Sequence, residues 1–421
     1  MVVNRVCIKN FRGIEEATIE LKEGFNLIKG ENGKGKTSIL EAISVGLGGY
    51  ISGINDVATR HFSKEEIRKV VELIGDASCN ITYQVPTEVV MNVTLEGEGY
   101  EWTRGRSSVS SSRSTTQPRN ICKLAERMSL DTNVEYPVLI FQGAGRVWSQ
   151  KKDKSKSVFT KQYSRTVGYT DTLLEASSIK LLLNWCMKME QAAWKKNSTI
   201  AEYESVKEAV ALFMSCMNGK KEFHLFYDKV LEELMYGEND MILPVNSLSA
   251  GYQSLIWMVF DIAYRMAVLN PLKKEQIAQT KGIVLIDEID MHLHPRWQWK
   301  IIDALRTVFP NVQFIATTHA PILFASAKDV WVIDIEEKEY QYGYSHYGID
   351  LNTAIKQYQD TNDIPFTIQE QVDEFYDELD QGNVNEAKEI LEKLEIETAP
   401  THPLLVQMRT RYEFEVLDLE D

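Results

Sequence analysis

At 421 residues with 44% hydrophobic side chains, the chain can bury a large core and hold more than one domain, so size alone excludes little. The formal charge is −15, yet residues 104–165 carry thirteen Lys/Arg against four Asp/Glu, which places one basic segment in an otherwise acidic chain. Five scattered cysteines form no CxxC or Cys/His cluster, which argues against zinc, and no apolar run approaches the ~18 residues needed to span a bilayer. The expectation is a soluble cytoplasmic protein with no membrane partner.

In chain order, residues 2–9 and 17–21 carry β-branched, partly alternating patterns, and a short apolar run from Gly24 to Ile28 ends at Gly30. Residues 38–43 then show apolar side chains at helical spacing, which makes strand, loop and helix. Residues 75–103 alternate again and predict a β-subdomain. Residues 105–118 (GRSSVSSSRSTTQP) hold too few apolar side chains to offset chain entropy and predict a mobile basic loop. A strand is expected over residues 138–141, several helices over 171–235, and buried parallel strands at 283–286 (IVLI), 312–316 (VQFIA) and 330–333. From Glu370 onward sixteen Asp/Glu stand against four Lys/Arg in helical patterns, with Phe375, Leu379, Ile390, Leu391 and Leu394 interleaved, which predicts an acidic helical tail.

The sharpest motif is Gly30-Glu31-Asn32-Gly33-Lys34-Gly35-Lys36-Thr37, a GxxxxGK[ST] loop between a strand and a helix. Glycines at Gly30, Gly33 and Gly35 let backbone N–H groups wrap phosphates, the helix N-terminus adds positive potential, and Asn32, Lys34 and Ser38 are expected in the same nucleotide-binding set. Lys36 reaches the β and γ oxygens, and Thr37 ligates Mg²⁺. The run ending in Asp287-Glu288 places one carboxylate beside the metal and a second as general base for the attacking water. VQFIA ends in Thr317-Thr318-His319, where His319 can donate to the γ-phosphate. His292 and His294 flank Leu293 without further ligands, so a structural or interface role is expected there rather than a metal pair.

Ser247-Leu248-Ser249-Ala250-Gly251-Tyr252-Gln253 resembles the ABC signature, with SAGYQ in place of the usual SGGQ. That resemblance implies that Ser249, Gly251 and Gln253 bind the γ-phosphate held by the P-loop of a second subunit, so that a homodimer or higher homo-oligomer sandwiches ATP. Gln142 resembles the Q-loop glutamine that senses Mg²⁺ and water, and Asp290 stands where the family has its D-loop. Asn10-Phe11-Arg12-Gly13 looks like the opening of the RecF/SMC/OLD-like branch, in which the arginine lies near the nucleotide. FQGAGR, DEIDMHLHP and TTHAP are similar to the compact bacterial anti-phage ATPases of the Septu PtuA type.

Together these imply an α/β fold. An ABC ATPase head is expected, with a P-loop core sheet, an antiparallel β-subdomain, a helical insertion and an acidic helical appendage. The expected domains are an N-terminal ATPase lobe at 1–165, a helical insertion at 166–245, a C-terminal ATPase lobe at 246–350 and the appendage at 351–421. The implied activity is ATP hydrolysis with ATP and Mg²⁺, regulating an effector of the HNH nuclease kind encoded nearby. A RecF-type clamp using the basic segment (Arg104, Arg106, Arg113, Lys151, Lys152, Lys154 and Lys156) on DNA, and a transporter subunit, are the alternatives. For the tail, a solvated cap stands against an effector-docking arm.

Overall fold

The computed structural model describes residues 1–74, 78–147, 164–174, 179–219, 222–336, 339–359, 364–398 and 402–420. They form two compact units, Met1–Ile349 and Asp350–Asp421.

The larger unit is organised by a six-stranded sheet. Its strands run in the order Glu339–Tyr344, Val330–Glu336, Phe25–Lys29, Val312–Thr317, Gly282–Ile286 and Val138–Gln142, and all neighbours are parallel except the first pair. The three middle strands are apolar and almost wholly buried, as a parallel sheet covered on both faces requires. Helix Lys36–Ile51 follows the first of them. It is buried on all sides from Ile39 to Ile51, because a second sheet lies across its other face. That sheet is antiparallel, in the order Ile14–Glu20, Val2–Phe11, Thr87–Leu95, Glu98–Arg106 and Thr115–Gln117. Trp102 from its fourth strand is fully buried and donates Nε1–H to the Gly46 carbonyl of the helix at 2.9 Å.

Two sequence expectations fail here. Residues 171–235 are helical only in part, as Ile179–Lys196 and Ala201–Asn218. From Phe223 the chain makes a three-stranded meander, Phe223–Asp228, Glu233–Glu238 and Met241–Pro244, which runs directly into the segment before helix Ala250–Leu269. Residues 105–118 are not a free basic loop. Thr115–Gln117 pairs with the preceding strand, and Arg104 is 1% exposed, donating to Thr116 Oγ1 at 2.6 Å and to the Arg60 carbonyl at 3.0 Å. Arg106 is buried too, donating to the carbonyls of Phe62 (2.8 Å) and Val109 (2.6 Å). These guanidiniums are therefore internal donors, to main-chain carbonyls and a threonine hydroxyl. The remaining cations of the expected segment, Lys151, Lys152, Lys154 and Lys156, lie outside the described residues.

The smaller unit contains helices Leu351–Gln359, Phe366–Asp380, Val384–Glu397 and Pro403–Glu420. Phe375, Leu379, Leu391 and Leu394 join Val372, Ala387, Leu405 and Met408 in a core of its own, with Ile390 half-buried against it. The interleaved apolar positions of the tail therefore hold the unit together rather than facing outward. No helix among the described residues is long and apolar enough to cross a membrane.

Candidate nucleotide site

The P-loop leaves strand Phe25–Lys29 at Gly30. Gly33 and Gly35 adopt φ of 84° and 93°, a region in which a Cβ is strained, so the glycines are required by the backbone path. Gly35 is the N-cap of helix Lys36–Ile51 and offers no side-chain cap, which leaves the first N–H groups of the helix for an anion. Asn32 and Gly33 are exposed, Ser38 is half-buried in the first turn, and Lys34 pairs with Glu31 at 3.6 Å. Lys36 is buried and folds back over the loop, donating Nζ–H to the carbonyls of Gly30 (2.6 Å) and Glu31 (2.9 Å). Burial lowers its pKa below the usual lysine value, opposed by the carboxylates of Asp287, Glu288 and Asp290, which lie close enough to act on it.

Those carboxylates come from the end of the neighbouring buried strand but one. Asp287 donates its backbone N–H to the Gln142 carbonyl at 2.8 Å and so continues the strand pairing. Its carboxylate accepts from Thr37 Oγ1 at 3.0 and 3.2 Å and from Thr317 Oγ1 at 2.6 Å. A carboxylate and a threonine hydroxyl held together at the mouth of a P-loop are the donor set expected for Mg²⁺ beside a nucleotide, so the residues fit that ion. Glu288, half-buried, adopts φ of 47°, which non-glycine residues visit rarely and which marks backbone held by its surroundings. Thr317 holds it, because its hydroxyl also accepts from the Glu288 N–H at 2.8 Å, while the Thr317 carbonyl accepts from the Ile289 N–H at 3.0 Å. Thr318 donates Oγ1–H to Asp290 at 2.5 Å, and His319 follows, half-buried. The two threonines therefore lock the whole acidic turn to the adjacent strand end. In the sequence alone they stand only as neighbours of His319.

Arg12 is exposed with φ of 50°, and its guanidinium meets Glu41 Oε1 at 2.6 Å, four residues beyond Thr37 on the P-loop helix. Arg60 completes the cluster, 2.7 Å from Glu66 and 3.9 Å from Glu41. Arg12 is thus moored to the helix that starts at the phosphate loop. Gln142 is buried, and its amide donates to Asp261 of helix Ala250–Leu269 at 2.6 Å.

The signature segment opens helix Ala250–Leu269. Ser249 is the exposed N-cap of helix Ala250–Leu269 and makes no side-chain cap bond, although the helix behind it is buried on every face from Ser254 onward. Gln253 turns its amide back to the carbonyls of Leu248 (2.7 Å) and Asn246 (2.9 Å) and so fixes the turn before the helix. Gly251 is required by close approach, since a Cβ there would lie 2.7 Å from the His292 carbonyl oxygen. Tyr252, which with Ala250 distinguishes SAGYQ from SGGQ, sits edge-on to Trp297 at 4.8 Å and to Tyr236 at 5.9 Å. Among the described residues, Ser249, Gly251 and Gln253 make no hydrogen bond to the P-loop of their own chain. His294 caps the short helix Pro295–Gln298 by accepting from the Arg296 N–H at 3.2 Å, and no cluster of metal-binding residues is found among the described residues.

Comparison with known proteins finds ATPases. A family model described as an AAA domain matches residues 5–211, and one described as an AAA ATPase domain matches residues 139–324. The chain is 26% identical over 367 residues to the Retron Vc95 probable ATPase of Vibrio cholerae serotype O1 biovar El Tor, covering 75% of this chain and 70% of that protein. It is 24% identical over 426 residues to the Septu protein PtuA of Bacillus thuringiensis, covering 96% of each. Among solved structures, an SMC head bound to the C-terminal winged-helix domain of ScpA superposes with a TM-score of 0.50 at 15% identity, over 85% of this chain and 100% of that one, a likeness of fold. The chain is thus similar to AAA/ABC-type P-loop ATPases, and ATP hydrolysis is the activity these likenesses support.

Proposed function

We propose that two copies of this chain close head to tail around ATP and Mg²⁺, each P-loop facing the Ser249 end of the other copy, and that the closed state regulates a partner effector in anti-phage defence. The observation that carries the reading is the placement of Ser249. An exposed serine with no side-chain cap bond begins a helix that is buried from Ser254 onward, and it makes no hydrogen bond to the chain's own P-loop, so the helix N-terminus can receive a phosphate brought by a second copy.

On this reading Lys36 leaves the carbonyls of Gly30 and Glu31 for the β and γ oxygens of the nucleotide. Thr37 and Asp287 would hold Mg²⁺, which would supply charge neutralisation for the phosphates, and Gln142, whose carbonyl accepts from the Asp287 N–H, is the expected further residue of that site. Glu288 accepts the proton of the attacking water as its oxygen bonds to the γ-phosphorus and the bond from that phosphorus to the β–γ bridging oxygen breaks, releasing ADP and phosphate, and His319 donates to the γ-phosphate, balancing the charge that develops there. Arg12 is poised by Glu41 near the same loop. The effector role rests on similarity to a Septu protein and a retron ATPase, with an HNH-type nuclease as the expected partner and the cytoplasm as the expected compartment. The clamp alternative is weakened, because Arg104 and Arg106 are committed inside the fold and cannot also contact a DNA backbone.

Light scattering of Glu288→Gln with ATP and Mg²⁺ tests the sandwich. The amide keeps the shape of the site but cannot take the proton, so a stable ATP-dependent dimer is expected with turnover near zero. A strictly monomeric ATP-bound mutant would falsify the sandwich reading.

A further inference from the structure

The buried polar atoms behind the site form a second feature that the roles above leave unused. Gln142 ends strand Val138–Gln142, and its side chain is 1% exposed. Its Nε2 donates to Asp261 Oδ2 at 2.6 Å. Arg265, one turn further along helix Ala250–Leu269, donates Nε–H to the other oxygen of Asp261 at 3.0 Å, and its Nη1 donates to the carbonyls of Gly168 (2.8 Å) and Thr170 (3.0 Å). Asp261 and Arg265 are 2% and 3% exposed.

A buried ion pair of this kind is a weak source of stability, since apolar residues of the same volume commonly do as well. What it does fix is orientation. A carboxylate can only accept, so Asp261 dictates that the NH₂ end of the Gln142 amide faces helix Ala250–Leu269 and the Oε1 end faces away from it. We propose that Asp261, braced by Arg265, is a positioning residue that aims Gln142 for the Mg²⁺ site and ties it to the signature helix. This rests on the nucleotide reading of the P-loop and deepens it. The helix that presents Ser249 to a second copy then also holds the glutamine of its own site, so that a shift of that helix on closure is felt at the metal. Partners of metal ligands in other proteins act this way, and their loss typically costs about 10- to 100-fold in metal affinity.

Asp261→Asn tests the idea sharply. An Asn amide accepts from only one of the two donors, so either its NH₂ faces a donor or Gln142 flips and turns its own NH₂ away from the helix, and in both cases the brace that fixes the Gln142 amide is broken with little change in volume. Asp261→Leu combined with Arg265→Met is the companion variant, which removes the pair without stranding a buried charge. The readout is thermal stabilisation of the full-length protein by ATPγS, titrated with MgCl₂ and compared with ATPγS in EDTA. The expected result is a Mg²⁺ half-saturation raised about 10-fold in both variants, with stabilisation by ATPγS in EDTA unchanged. Variants that fold and keep the wild-type Mg²⁺ half-point, or that lose only thermal stability, overturn the positioning role. A wild-type ATPγS complex indifferent to Mg²⁺ overturns the Mg²⁺ reading of the site and the role of Asp261 with it.

Discussion

Replacing Thr317 by valine removes one hydroxyl and almost nothing else, and the geometry assigns that hydroxyl two tasks. It donates to Asp287 at 2.6 Å and accepts from the Glu288 N–H at 2.8 Å, in a position with no solvent exposure. Asp287 keeps Thr37 as a donor after the change. The Glu288 N–H, by contrast, loses the acceptor that fixes a backbone already at φ of 47°. A stranded buried donor costs about 1–3 kcal/mol and a lost hydrogen bond to a carboxylate about 1.5–3 kcal/mol, partly overlapping, so a loss of about 2–4 kcal/mol is expected. For a unit of this size that lowers the melting midpoint by roughly 4–8 °C, the range set by about 2 °C for each kcal/mol. Turnover should fall further than stability suggests, by about 100-fold, since small misplacements of a catalytic group cost that much. Thr317→Ser retains the hydroxyl and should recover most of both. Differential scanning fluorimetry and a phosphate-release assay measure the two effects. A valine variant with wild-type melting and turnover would show that the acidic turn is held by something other than Thr317.

Lys36→Ala should abolish ATP binding in a fluorescent-nucleotide titration, because the ammonium facing the loop is lost while Gly33 and Gly35 remain; wild-type affinity would contradict this. Gly251→Ala gains about 1 kcal/mol in helix propensity, but its Cβ meets the His292 carbonyl at 2.7 Å, and such overpacking costs about 1–3 kcal/mol. The expected result is a small net loss of stability with a large loss of ATP-dependent dimer, and an intact dimer would refute the assigned placement of Ser249. Deleting residues 350–421 should leave ATP binding intact, since that unit has its own core, and should remove binding of a basic partner protein in pull-down. Retained partner binding would move the docking surface to the ATPase unit.

The parallel strands were legible because burial on both faces writes itself as short unbroken apolar runs, and the P-loop, Asp287 and Glu288 follow directly from two of those runs. What escaped notice depends on contacts distant in sequence. Arg104 and Arg106 stand in a serine-rich stretch that looks solvated, and only the carbonyls of Arg60, Phe62 and Val109, brought close by folding, reveal them as internal donors. The meander over residues 223–244 is rich in Leu, Met and Glu, which favour helices in isolation. Pairing of Phe223–Asp228 with Glu233–Glu238 overrides that preference, as context commonly does for strands. Asp261 reads as a lone polar break in an apolar helix, and nothing local announces that Gln142, 119 residues away, is its partner.

Charge separates along the chain more cleanly than total composition suggests. Residues 350–421 hold nineteen Asp/Glu and five Lys/Arg, whereas residues 1–349 hold 42 and 41. The ATPase unit is therefore close to neutral, and nearly all of the net −15 belongs to the smaller unit. Long-range attraction for a cationic partner must then arise mainly from the smaller unit, and it weakens as added salt shortens the Debye length from about 10 Å at 0.1 M to about 3 Å at 1 M. The nucleotide site depends instead on contacts of about 3 Å between partly buried groups, such as Thr37 with Asp287, which salt screens far less. Raising ionic strength should accordingly slow partner association well before it alters nucleotide affinity. Equal salt sensitivity of the two would mean that the partner is recognised by the ATPase unit itself.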